Sequence, residues 1–146
     1  MITKEDFIIQ AEAELVNAGF TPLKTKAAVD HRFANHCGIT LLVVNSTCEC
    51  AGPTARMAAI GAFHAAYSKV HHFATVFAGV DEEATEALKQ YLEPYPLSSP
   101  LIATIKEGEI IHCLERHQIE GRPVEDIIKE VCKGMEMAYD MLDPMF

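Results

Sequence analysis

The sequence has no apolar run approaching the roughly 20 residues that a helix needs to cross a bilayer, so no transmembrane helix is expected. It is also short of positive charge: 12 Lys and Arg stand against 21 Asp and Glu, a formal charge of −9. Phosphate backbones and anionic membrane surfaces repel a chain of that sign, so neither nucleic acid nor a membrane is expected as a partner. The even cysteine framework of a secreted disulfide scaffold is missing too, because the cysteines number five. The opening Met1–Asp6 does not read as a signal peptide, and a reducing cytoplasm is the expected setting. There is no internal repeat, low-complexity tract or linker. At 146 residues the length fits one domain over 1–146 with a substantial core.

What is present centres on Asn45-Ser46-Thr47-Cys48-Glu49-Cys50-Ala51-Gly52-Pro53. Ile39–Val44 before it is short, apolar and β-branched, as a buried strand would be. Thr54–Ile60 after it is rich in helix formers. The cysteine pair therefore sits at a strand-to-helix turn, where the first backbone N–H groups of a helix lack internal partners and favour a thiolate. Proline is tolerated only in the first turn, so Pro53 puts the helix start between Cys48 and Gly52.

Along the rest of the chain, Thr3 and Asp6 suggest a capping box for a helix carrying Phe7, Ile8, Ala11, Leu15 and Ala18, ended by Gly19. Phe20–Lys24 is expected as a short edge strand, and Thr25 as the cap of a helix reaching about His36, with Cys37-Gly38 as its stop. An Ala-rich helix follows the cysteine turn to about Lys69, with Gly61 expected to pack closely on the sheet. Phe73–Ala78 reads as a strand and Asp81 as the cap of a helix over Glu82–Leu92. Leu101–Lys106 and Glu109–Glu115, split by Glu107-Gly108, read as an antiparallel hairpin. Arg122-Pro123 opens a last helix with Val124, Ile127, Ile128, Val131, Met135, Ala138 and Tyr139 on one face. The expected class is α/β: a mixed central sheet flanked by helices, with an extra N-terminal helix.

This order, with a cysteine pair after the second strand and Ser99-Pro100 opening the strand before the hairpin, resembles a thioredoxin fold. The resemblance implies a cis Pro100 lying against the redox cysteines; an ordinary trans loop proline is the alternative. Asn45-Ser46-x-Cys48-x-Cys50-Ala51 with Ala55-Arg56 is similar to the cysteine motif of the bacilliredoxins. So are Val76-Phe77-Ala78-Gly79 with Asp81 and Glu83-Ala84-Thr85, Ser98-Ser99-Pro100, and Arg116-His117-x-Ile119-Glu120-Gly121. Such proteins remove the small thiol bacillithiol from mixed disulfides on other proteins, and some show weak isomerase character. The resemblance implies Cys48 as the attacking cysteine and Cys50 as the second, with Ser99 and Pro100 shaping the cleft. Arg56 is expected either to stabilise a thiolate or ligand carboxylate or to be a surface arginine. Arg116 and His117 are expected either to touch substrate or to belong to a solvated loop. The implied partners are S-thiolated client proteins and the small thiol itself; no cofactor is expected, and a homo-oligomer stays open.

One position departs from that family: Glu49 stands where it usually has glycine. Closing a Cys48–Cys50 disulfide needs Cα atoms within roughly 6.8 Å, so the middle residue must bend, which glycine does most easily. Glu49 also brings negative charge beside the nucleophile and is expected to oppose its thiolate. Apart from the resemblance, a Cys-x-Cys pair with His71-His72, His112 or His117 could hold a soft metal, but no second pair matches in spacing and no metal is expected. Cys37, Cys113 and Cys132 are expected as small core residues.

Overall fold

The computed structural model describes residues 2–34 and 38–142. Its elements run α1 (Lys4–Ala18), β1 (Thr21–Pro22), α2 (Lys26–Phe33), β2 (Ile39–Asn45), α3 (Gly52–Ala66) with a 3₁₀ turn at Tyr67–Lys69, and β3 (His72–Phe77). Then come α4 (Glu82–Leu92), β4 (Leu101–Lys106), β5 (Glu109–Leu114), α5 (Arg116–Ile119) and α6 (Val124–Asp140). The five strands form one sheet in the order β1-β3-β2-β4-β5. β3 pairs in parallel with β1 and β2, while β4 runs antiparallel to both β2 and β5.

β2 is buried along its whole length, because helices cover both faces of the sheet around it. A strand in that position has to be apolar throughout rather than alternating. Ile39, Leu41 and Val43 face a core shared with α1, α3 and α6; Leu42 and Val44 face a second core shared with α2 and α4. Gly134 of α6 admits the His112 side chain of β5, since a Cβ there would lie 2.6 Å from the His112 Cβ. Gly61 packs on α6 rather than on the sheet: an added Cβ would stand 2.5 Å from Ile128 Cδ1.

Thr3 caps α1 by accepting from the Asp6 N–H, Thr25 caps α2 by accepting from the Ala28 N–H, and Gly19 ends α1 in the left-handed region, as expected. The strand foreseen over Phe20–Lys24 shrinks to Thr21–Pro22. Helix α2 closes at Phe33; the expected reach to about His36 and, of the Cys37-Gly38 stop, Cys37 with its core role lie outside the described residues, while Gly38 has a positive φ of 75°. Asp81 precedes α4 without a side-chain cap, because its carboxylate turns to Lys24 Nζ at 3.5 Å. Tyr139 is half-exposed rather than part of the α6 core face, and its ring lies under the Lys69 ammonium. The short helix α5 was not foreseen; a reciprocal Glu115–Gln118 capping box holds it.

Candidate active site

The cysteine turn is built by the end of β2. Buried Asn45 donates through Nδ2 to the Ala11 carbonyl of α1, and its Oδ1 accepts from the Ser46 N–H. Ser46 then accepts through Oγ from the Cys48 N–H at 2.9 Å, the local side-chain turn that serine forms with an amide two residues on. The Gly52 N–H closes the turn on the Cys48 carbonyl at 2.9 Å, and α3 begins there with Pro53 in its first turn. Space at Gly52 is tight, since a Cβ would sit 3.1 Å from the Ser46 carbonyl oxygen and 3.2 Å from Arg56 Nη1.

The turn leaves Cys48 half-buried and Cys50 exposed, both as free thiols. The Cys48 thiol is held below its ordinary pKa. The Ala51 N–H is the largest contributor, burial opposes it, and the Cys50 N–H, the Arg116 charge and the Gly52 N–H add to it. These amides gather at the start of α3, the positive end of the helix dipole, where negative charge is stabilised. A thiolate-favouring, accessible sulfur is a nucleophile suited to disulfide exchange.

Two further segments reach the same end of the sheet. Val44 pairs with Leu101, so Pro100 stands beside Asn45 as the chain enters β4; Ser99 is partly buried, Pro100 is buried, and their peptide bond is cis. The Arg116 N–H donates to Ser98 Oγ at 3.3 Å, which ties α5 to the segment carrying Ser99 and Pro100.

Arg56 occupies neither of its expected positions. It is 3 % exposed, and its guanidinium points inward to Glu14 Oε2 at 2.5 Å, Asn45 Oδ1 at 3.1 Å and the Ser46 carbonyl at 3.3 Å. It supports the turn from below, joining the buried Asn45 and Ser46 to the half-exposed Glu14. His117 is exposed on α5, and the charge that acts on Cys48 from that helix belongs to Arg116. Glu49 is exposed and is not among the groups that move the Cys48 thiol, contrary to the expected opposition. Sequence reasoning missed the Asn45–Arg56–Glu14 network and the role of Ser46, although a serine two residues before Cys48 is itself a turn signal. His71 and His72 lie at the start of β3, whose register places them at the far end of β2 from the cysteines. Among the described residues, no group of three or more His, Cys, Asp or Glu is arranged to hold a metal ion.

A family model described as disulphide isomerase matches residues 3–139. A bacilliredoxin of Bacillus cereus is 48% identical over 126 residues, covering 85% of each chain. One from Cytophaga hutchinsonii is 43% identical over 139 residues, covering 94% of this chain and 98% of its own. The chain belongs to the bacilliredoxin family. Its fold is that of thioredoxin: the Fasciola hepatica thioredoxin structure superposes with a TM-score of 0.53 at 15% identity, covering 79% of this chain and 99% of that one. This bacilliredoxin-family chain is a thiol–disulfide redox protein. No helix among its described residues is long and apolar enough to cross a membrane.

Proposed function

We propose that this protein removes bacillithiol, or a closely similar small thiol, from mixed disulfides on client proteins in a reducing cytoplasm, with Cys48 as the nucleophile. The observation that carries the reading is the Cys48 sulfur held toward thiolate by the Ala51, Cys50 and Gly52 amides and by Arg116, beside an exposed Cys50. The Cys48 thiolate attacks the small thiol's sulfur: a Cys48–small-thiol disulfide forms, the old disulfide breaks, and the client leaves as a thiolate that takes up a proton. Clearance follows by one of two balanced routes. Cys50 attacks Cys48 and releases the small thiol, leaving a Cys48–Cys50 disulfide that two thiol equivalents reduce. Alternatively, a second small thiol attacks the adduct and leaves as the small-thiol disulfide, restoring Cys48. Ser99 and Pro100 border the cleft in this scheme. The disulphide isomerase description of the matching family model favours a second reading, rearrangement of client disulfides through the same Cys48 chemistry.

The experiment exposes Cys48→Ser and Cys50→Ser once to a bacillithiol-modified client and reads intact masses. Cys48→Ser should leave the client modified. Cys50→Ser should accept one small thiol and keep it as added mass on Cys48. Adduct on Cys50 in the Cys48→Ser protein, with none on Cys48 in the other variant, reverses the roles. Adduct on neither removes this turn as the active site.

A further inference from the structure

Glu49 replaces the glycine that the cysteine motif usually carries, yet it is not among the groups that shift the Cys48 thiol. It lines a cavity of about 440 Å³ together with Ile2, Thr3, Lys4, Phe7 and Thr47. The start of α1 forms one side of this space and the cysteine turn the other, with wall residues Thr47 and Glu49 immediately flanking Cys48 in the chain. The volume falls in the range of small-molecule sites, and the wall mixes apolar surface with a few polar groups, as such sites do. Its two charges are opposite in sign, and neither Lys4 nor Glu49 is in an ion pair among the described residues. A lysine and a glutamate that border one space without neutralising each other complement a ligand carrying both an anionic and a cationic group. Small thiols that keep a free amine and a carboxylate are of that kind, cysteine being the smallest.

We propose that this cavity is the subsite for the non-sulfur part of a zwitterionic, cysteine-derived small thiol, with Lys4 meeting its carboxylate and Glu49 its ammonium. The inference rests on the proposed function and adds direction to it. Cys48 does not itself line the cavity, so a small thiol seated here extends its sulfur past the Thr47 and Glu49 wall to Cys48, and the client stays outside. The new disulfide then forms to that sulfur, and the client cysteine is the leaving group. Glu49 is on this account a specificity residue.

The test uses one client protein carrying either cysteine or 2-mercaptoethanol as a mixed disulfide, the first zwitterionic and the second neutral. Initial rates of adduct loss are each divided by the rate with dithiothreitol alone, which removes the intrinsic reactivity of the two disulfides. Each exposed charge contact contributes roughly two- to five-fold, so the protein should prefer the cysteine adduct by about ten-fold. Lys4→Met and Glu49→Gln should each lower that preference to about three-fold or less, while Lys4→Arg should keep it. The preference is a ratio, so any change in Cys48 reactivity caused by Glu49→Gln cancels. If both adducts are cleared at equal normalised rates, or if the preference survives both charge removals, the subsite is wrong and the proposed function stands. If neither adduct is cleared, the proposed function fails and the subsite falls with it.

Discussion

Among the described residues, Arg116 carries the only full charge in the set of groups that lower the Cys48 pKa; the others are backbone amides. Its side chain is half-exposed and lies 3.8 Å from Glu120, so water, salt and that carboxylate all weaken its pull. Replacing it should therefore matter modestly and in a defined direction. A lowered thiol pKa means more thiolate at a given pH below it, so Arg116→Ala should move the pH–rate profile for Cys48 alkylation upward. The expected loss is about two- to five-fold at pH 7, fading at high pH where Cys48 is ionised in both proteins, and shrinking as salt is added. A profile that does not move, or that moves down, would show that Arg116 does not act on the sulfur. The sequence put Arg116 and His117 side by side in one motif and could not rank them. Only the turn of α5 separates them, since it brings the arginine charge to bear on Cys48 and leaves His117 in solvent.

The elements themselves were largely legible. Ile39–Val44 reads as a buried strand because the observed strand, one residue longer at Asn45, lies centrally under helices on both faces, and the Glu107-Gly108 pair reads as a hairpin turn because both residues take positive φ there. What could not be read was how three elements lock together beneath the cysteines. Arg56 on α3 meets Glu14 on α1 and Asn45 at the end of β2, a junction set by packing and not by any local pattern. Its guanidinium fork reaches the Glu14 carboxylate, the Asn45 side chain and the Ser46 carbonyl together, which a lysine ammonium cannot do. Arg56→Ala should cost about 2–3 kcal/mol in urea unfolding, from the lost bonds and the space left by the stem. Arg56→Lys should recover only part of that. Glu14→Gln should cost less than about 1 kcal/mol, because the Glu14 side chain is 52% exposed. Equal losses for Glu14→Gln and Arg56→Ala would mean that the surface ion pair, and not the buried fork, holds the junction.

Across the whole molecule the same thiol occurs in sharply different settings. A net charge of −9 works against thiolates in general, yet the amides at the start of α3 reverse this locally at Cys48. On β5, burial and then the nearby Glu115 push the Cys113 thiol up to about 12. On α6, burial and then Glu136 raise Cys132 as well. Both stand partly buried, so their inertness comes first from where the fold puts them and only second from a glutamate nearby in the chain. In the folded, fully reduced protein at pH 7, iodoacetamide should label Cys48 at least about ten-fold faster than Cys113 or Cys132, as peptide mapping after timed quenching would show. Each pKa unit changes the thiolate fraction about ten-fold below the pKa, so even part of the separation is readable. In urea sufficient to unfold the chain, the rates should converge to within about three-fold, because the amides, the burial and the charges that separate the thiols all belong to the native fold. Equal labelling of Cys113 and Cys48 in the folded protein would remove the electrostatic basis for assigning the nucleophile. A separation that persisted in urea would place its cause in the local sequence around Cys48 and not in the turn that the three layers hold.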